Sequence, residues 1–196
     1  MTLTSRKSVL SYCQCGQIHQ VKRRWFLRSL LPGAIAFPLL PKTQPTKSIE
    51  HKAKVLVLSC IDFRFLEPEI LFLSERHLEG QYDWIALAGA SLAMSGFPHA
   101  SETEVFWDQL SLSYELHHIE TVIIFDHQDC GAYASKINRT LLQNPYQEKK
   151  VHTDYLSRAY WAIRNRYPTL NIELYFVTLD ARVKTIVPTH TSLHPG

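Results

Sequence analysis

The sequence contains no apolar run of the roughly 18 to 20 residues that a helix needs to cross a bilayer. Cysteine is scarce: two of the four cysteines lie within the first 15 residues, so the remainder cannot be a scaffold built on disulfides. Compositional bias is absent too, because 45% of the residues are apolar and 20% are charged. What is left is a chain of 196 residues, which suits one globular domain with some residues to spare.

An excess of basic charge is also missing from most of the chain. Residues 1–40 carry six basic residues and no acidic one, which leaves 21 − 6 = 15 basic and 18 acidic residues in the remainder. The net charge of this remainder is therefore −3, against +6 for residues 1–40. A domain that binds nucleic acid usually has a basic face in its folded part. We therefore expect no nucleic-acid partner.

The basic segment has the features of an export signal. Residues 22–28 read Lys-Arg-Arg-Trp-Phe-Leu-Arg, which resembles a twin-arginine signal, and the apolar stretch at 29–40 is too short to span a membrane. We predict a signal peptide over 1–40, with a candidate cleavage site at 34–36, and a polar linker over 41–53. The twin-arginine machinery would export the protein to the periplasm, or leave it tethered to the membrane if the signal is not cleaved. The alternative is an amphipathic arm that covers a partner subunit.

Short apolar runs alternate with helical patterns in the rest of the chain. The runs predict four strands, at 54–59, 83–88, 121–126 and 172–179. Helices are predicted at 67–78, from a capping box at Ser101 to about Leu116, from about Ala132, and at 153–167. This alternation implies parallel strands, and strands that are apolar throughout imply a sheet covered on both faces. We predict an α/β fold with a mainly parallel sheet of about four strands flanked by helices.

Two polar motifs follow the first and third predicted strands. Cys60-Ile61-Asp62-Phe63-Arg64 comes after the first strand and His127-Gln128-Asp129-Cys130-Gly131 after the third. Open α/β sheets place their sites at these carboxyl ends of strands. Two cysteines and a histidine suit zinc, and three protein ligands leave the fourth position for water or substrate. The motifs therefore predict a catalytic zinc site formed by Cys60, His127 and Cys130.

Asp62 and Arg64 are candidates for a second layer around this metal. Residues two apart in an extended turn project to the same side, and a guanidinium can hold a carboxylate ionised through two hydrogen bonds. Such a carboxylate could accept a hydrogen bond from zinc-bound water or occupy the fourth position itself. The competing interpretations are an ordinary ion pair and, for Cys60 and Cys130, a disulfide. A disulfide would leave His127, Asp62 and Arg64 unexplained.

The polar residues near His127 give weaker signals. Asp129 is interpreted as a solvated or capping carboxylate, and Asp126 either as a hydrogen-bond acceptor for His127 or as a cap at the strand end. The adjacent His117 and His118 are expected to end a helix rather than bind one ion. Four other histidines are expected at the surface: His99, His152, His190 and His194.

The spacing of the two motifs resembles that of the β-class carbonic anhydrases. Cys-x-Asp-x-Arg follows the first strand, and His-x-x-Cys-Gly begins 67 residues after Cys60. The resemblance, over residues 54 to about 179, implies zinc held by Cys60, His127 and Cys130. It also implies an Asp62–Arg64 dyad that orients zinc-bound hydroxide, or gates the site if the aspartate binds zinc. The implied activity is reversible hydration of carbon dioxide to bicarbonate and a proton, in a homodimer or higher oligomer.

The chain departs from the family pattern at several positions. Asp126 stands where a glycine is common, Phe63 is bulky where a small residue is common, and the loop at 88–90 lacks the usual polar residues. We expect a zinc domain over 54–187 and a loose tail over 188–196. Three alternatives stay open: hydrolysis of carbonyl sulfide or carbon disulfide on the same fold, a zinc-stabilised binding or regulatory protein without turnover, and a thiol–disulfide protein.

Overall fold

A computed structural model describes residues 52–190 of the protein. The predicted signal peptide with Cys13 and Cys15, the linker up to residue 51 and tail residues 191–196 lie outside the described residues. Within residues 52–190, no helix combines the length and the apolar character needed to cross a membrane. Part of the expected tail is described, and Thr189 is held on the body of the protein, donating its N–H to the Ser157 hydroxyl at 3.0 Å.

Strands and helices alternate along the described residues. The strands are β1 Val55–Ser59, β2 Tyr82–Ala86, β3 Thr121–His127, β4 Asn171–Val177 and β5 Val183–Ile186. The α-helices are α1 Phe63–Glu75, α2 Ala100–Leu112, α3 Gly131–Lys136 and α4 Pro145–Arg166. Short 3₁₀ turns cover Ala90–Ser95 and Arg139–Gln143, and a π turn at Ser113–His117 extends α2.

The sheet has the order β2-β1-β3-β4-β5, with β1 to β4 parallel and β5 antiparallel to β4. This confirms the α/β fold class with its mainly parallel sheet. The fifth strand was not predicted. β5 is four residues long and buries only Ile186 well, with Lys184 and Thr185 exposed, so it lacks the apolar run that identifies a central strand.

Both faces of the sheet are covered. β1 is buried along its whole length: Leu56 and Leu58 belong to the core formed with α2 and α4, whereas Val55 and Val57 belong to the core on the α1 side. Alternate residues of a strand point to opposite faces, which explains this division. Each fully buried leucine or valine of this kind contributes about 1.5–3 kcal/mol. The two cores therefore fix β1 and β3 at the centre of the molecule.

Three helices begin at other residues than predicted. α1 begins earlier, because Asp62 caps it and accepts the Arg64 N–H at 3.1 Å, so Pro68 lies inside the helix rather than in its first turn. α4 begins at Pro145, capped by Asn144, eight residues before the predicted start at 153. The capping box at Ser101 is not formed: His99 holds the N-cap position of α2 and makes no side-chain capping bond.

Candidate metal centre

The fold brings Cys60, His127 and Cys130 together, as predicted. β1 and β3 are neighbouring parallel strands, so Cys60, immediately after β1, lies beside His127, the last residue of β3. Cys130 is the N-cap residue of α3, three positions further on. The ligand atoms of the three side chains lie within 4.8 Å of one another. In the described part of the chain, this is the one group of three such residues that could hold a metal ion.

The orientation of His127 fits a metal ligand. Its Nδ1 lies 2.8 Å from the backbone carbonyl of Gln128, and its ring stacks on Phe65 with centroids 4.1 Å apart. A proton on Nδ1 leaves Nε2 with a free lone pair, and this buried atom has no hydrogen-bond partner in the structure. A buried polar atom without a partner costs about 1–3 kcal/mol. A zinc ion bound to Nε2 and the two sulfurs would remove that cost, so the donor set fits zinc.

The arrangement of the two cysteines favours a thiolate at Cys60, which is partly buried. Both are free thiols in the structure, so the Cys60–Cys130 disulfide is not formed. The pKa of Cys60 is lowered by a hydrogen bond from Cys130, by the nearby His127 and by the Gly89 N–H, against the effect of burial. The pKa of Cys130 is raised, because Cys130 donates to Cys60 and is itself buried. A thiolate is the form of cysteine that binds metal.

Gly89 places its backbone against the first cysteine. Its N–H donates to the Cys60 Sγ at 3.2 Å, and its φ is +81°, a conformation that side chains rarely adopt. A Cβ at this position would lie 3.0 Å from the Leu92 Cβ and 3.1 Å from the Ala132 Cβ. The small-residue loop at 88–91 therefore serves a close approach of backbone to sulfur.

Asp62 and Arg64 form the expected pair. Arg64 Nε lies 3.0 Å from Asp62 Oδ1, and Nη2 lies 2.7 Å from Oδ2. The hydrogen bonds from Arg64 lower the pKa of the Asp62 carboxyl. Arg64 also binds Asp129, with Nη1 2.8 Å from Oδ2 and Nη2 3.1 Å from the carbonyl oxygen. Asp129 is thus not a merely solvated or capping carboxylate, and Arg64 joins the turn after β1 to the turn after β3.

Asp126 does not accept a hydrogen bond from His127, and that interpretation is wrong. Its carboxylate instead accepts the Ser91 N–H at 3.0 Å, the Ser91 hydroxyl at 2.7 Å and the Tyr133 hydroxyl at 2.8 Å. It also lies 2.8 Å from His152 Nδ1. His152 is completely buried, so its expected surface position is wrong as well.

Sequence reasoning also missed Glu148. This residue is 1% exposed, and its Oε1 accepts the backbone N–H of Asp129 at 2.7 Å. A signal for Glu148 and His152 was present, since positions 148, 152, 156, 159 and 163 lie on one helical face. All five are buried in α4. Starting the helix at residue 153 removed the first two from that face.

Comparison with known proteins decides the family. Residues 50–187 match a family model described as "Putative carbonic anhydrase". The chain belongs to this carbonic anhydrase family. An uncharacterized protein of Rickettsia bellii is 29% identical to the chain over 140 residues, which cover 71% of this chain and 85% of that relative.

Solved structures agree with the fold of this carbonic anhydrase family member. A β-carbonic anhydrase of the fungal pathogen Aspergillus fumigatus superposes with a TM-score of 0.52 at 14% identity, covering 77% of this chain and 83% of the other. A β-carbonic anhydrase of Sordaria macrospora, described as tetrameric, gives a TM-score of 0.51 at 13% identity, covering 70% and 82%. The protein therefore has the β-carbonic anhydrase fold.

One more buried carboxyl lies close to the metal centre of this carbonic anhydrase family member. Glu69 of α1 is 1% exposed. Burial raises the pKa of Glu69 to about 8, a hydrogen bond from Ser59 opposes the shift, and the negative charges of Cys60 and Asp126 add to it. Glu69 is therefore protonated at neutral pH, unlike Asp62. Sequence reasoning had no signal for the burial of Glu69, because its neighbours Glu67 and Ile70 are exposed.

Proposed function

We propose that the protein is a zinc enzyme that hydrates carbon dioxide reversibly to bicarbonate and a proton. The observation that carries the proposal is the cluster of Cys60, His127 and Cys130, with the orphaned Nε2 of His127 directed to the two sulfurs. A set of two cysteines and one histidine leaves a fourth position, as in catalytic rather than structural zinc sites. Membership of the carbonic anhydrase family supports the same activity.

The residues around the cluster suit this reaction. Zinc held there would lower the pKa of water from 15.7 toward about 7, and would thereby supply a nucleophile for carbon dioxide at neutral pH. Asp62, kept ionised by Arg64, accepts a hydrogen bond and so orients the attacking water. The side chains of Asp62 and Arg64 are 19% and 39% exposed, which gives the released proton a route to solvent.

Apolar side chains beside the site support an oligomer. Phe63, Leu66 and Ile70 lie on one face of α1 and are 85%, 47% and 42% exposed, and Ile61 next to them is 66% exposed. Phe63 therefore does not narrow a pocket within its own chain. Exposed apolar patches of this kind mark contact surfaces. We propose a homodimer or higher oligomer through this face, in keeping with the tetrameric enzyme of Sordaria macrospora.

We further propose that the protein is exported by the twin-arginine machinery, on the strength of residues 22–28 and the apolar segment that follows. Amino-terminal sequencing of the periplasmic protein tests this location. A mature chain that starts between the candidate cleavage site at 34–36 and the end of the apolar segment at residue 40 is expected. A periplasmic chain that starts at Met1 would overturn cleavage, and a cytoplasmic chain would overturn export.

Stopped-flow measurement of carbon dioxide hydration across pH tests the proposed activity. The protein is loaded with one zinc per chain, with Cys60→Ser as the blank and Glu67→Gln, an exposed change on α1, as the control. We expect a rate that rises with pH in the wild type and the control and is lost in the blank. Absence of hydration with zinc bound would reject the activity, and carbonyl sulfide and carbon disulfide would then be assayed before a non-catalytic role is accepted.

A further inference from the structure

We propose that Glu148 and His152 of α4 are positioning residues that fix the metal-binding loop between His127 and Cys130. The inference rests on the metal site of the proposed function. The two residues are four positions apart, so α4 presents both on one face, and both are buried. Neither belongs to the Cys-x-Asp-x-Arg or His-x-x-Cys-Gly motif.

His152 acts at the start of the loop. Its Nδ1 lies 2.8 Å from the carboxylate of Asp126, the residue immediately before His127. The same carboxylate accepts bonds from the Tyr133 hydroxyl and from the backbone and side chain of Ser91, so donors surround it. These four side chains are at most 1% exposed. These contacts therefore fix the position of Asp126, and with it the backbone of His127, the next residue.

Glu148 acts at the end of the loop. Its Oε1 accepts the N–H of Asp129, the residue immediately before Cys130, at 2.7 Å. Asp129 has a φ of +58°, a left-handed conformation that glycine adopts freely and aspartate only occasionally. The bond to a buried carboxylate helps to hold this conformation, and with it the direction in which Cys130 leaves the turn.

The same network reaches the third ligand. Ser91, which binds Asp126 through both its N–H and its hydroxyl, lies two residues after Gly89, whose N–H donates to the Cys60 Sγ. The support of Cys60 and the support of His127 thus meet at one carboxylate. A change at His152 is expected to disturb His127 and Cys60 through Asp126, and a change at Glu148 to disturb Cys130 through Asp129.

The polar character of this support argues for a role in positioning. Burying carboxylates and imidazoles is costly, and apolar residues of similar volume would stabilise a core at least as well. Hydrogen-bonded residues behind metal ligands, by contrast, typically change metal affinity 10- to 100-fold when they are replaced. A positioning role is therefore tested by measuring metal binding rather than the free energy of unfolding.

The test uses the full chain and compares the wild type with Glu148→Leu, Glu148→Gln and His152→Phe. Zinc loss to an excess of chelator and the visible absorption spectrum of the cobalt-loaded protein are measured. We expect zinc loss to be about 10- to 100-fold faster in Glu148→Leu and His152→Phe, with a shifted cobalt spectrum. Glu148→Gln keeps an oxygen that can accept the Asp129 N–H, and we expect it to rescue both readouts.

Ile163→Val is the matched control, because it removes one methylene from the same buried face of α4 without touching the network. We expect it to lower stability and to leave zinc loss and the cobalt spectrum unchanged. If Glu148→Leu fails to fold, Tyr133→Phe removes one donor from Asp126 more gently and is expected to speed zinc loss several-fold.

The outcomes separate the two proposals. Zinc loss at the wild-type rate in Glu148→Leu and His152→Phe, or equal acceleration by Ile163→Val, would overturn the positioning role alone. A wild type that binds zinc but does not hydrate carbon dioxide would overturn the proposed activity alone. A wild type that binds no zinc would overturn both.

Discussion

Glu69 makes the stability of the protein fall as pH rises, and Glu69→Gln removes this dependence. Burial raises the pKa of Glu69 from 4.5 to about 8. Between these values the folded state keeps a proton that the unfolded state has released, so the contribution of Glu69 to stability is greatest below pH 4.5 and is lost progressively toward pH 8. The shift is 8 − 4.5 = 3.5, which at about 1.36 kcal/mol for each pH unit amounts to about 5 kcal/mol.

Urea unfolding of the zinc-loaded protein between pH 5 and 8.5, with the wild type and Glu69→Gln compared at each pH, measures this effect. We expect the advantage of Glu69→Gln over the wild type to grow by about 1.4 kcal/mol for each pH unit up to about pH 8. Glu67→Gln, an exposed change on the same helix, controls for the loss of a charge. A free-energy difference between Glu69→Gln and the wild type that stays constant with pH would refute the buried protonated carboxyl.

Three further changes test the metal centre. Gly89→Ala is expected to bind zinc more weakly and to lose about 1–3 kcal/mol of stability, whereas Gly80→Ala, with a positive φ and no atom within 4 Å of the new Cβ, is expected to lose stability only. Chelator competition measures the zinc affinities, and equal affinities in the two variants would contradict this. Arg64→Lys loses the bidentate pair, so the pKa of Asp62 rises and hydration is expected to slow about 10- to 100-fold. As the pH is lowered, the variant is expected to lose activity at a higher pH than the wild type, and a pH–rate profile of unchanged shape would contradict this. Removal of zinc by a chelator is expected to expose the thiols of Cys60 and Cys130, which a colorimetric thiol titration counts. If these thiols react equally fast with and without zinc, ligation by sulfur is contradicted.

The metal cluster could be predicted from the sequence because each motif is local and each follows a strong strand signal. Cys60 comes directly after the apolar run of β1, and His127 ends the apolar run of β3. The carboxyl ends of parallel neighbours meet at one edge, so no knowledge of distant packing was needed. The same reasoning could not predict the positions of the three ligand atoms relative to one another. These depend on backbone hydrogen bonds such as that from the Gly89 N–H to the Cys60 Sγ.

The support behind the cluster could not be predicted, because it depends on which distant elements pack together. Asp126 finds its partners on three separate segments, at Ser91, Tyr133 and His152. The helical spacing of α4 indicates that Glu148 and His152 are buried, but it does not indicate which residues they contact. The start of α4 was lost for a local reason, since Asn144-Pro145 serves equally well as a turn or as a helix cap.

The position of β1 and β3 side by side at the centre of the sheet bears on how the protein acquires its metal. His127 lies 67 residues after Cys60, and the chain between them forms α1, β2 and α2. Contacts of such long sequence separation form late, after the entropy of closing a long loop has been overcome. The complete three-ligand site cannot assemble before Cys60 and His127 meet, so the rate of metal capture during refolding reports the closure of the central strand pair.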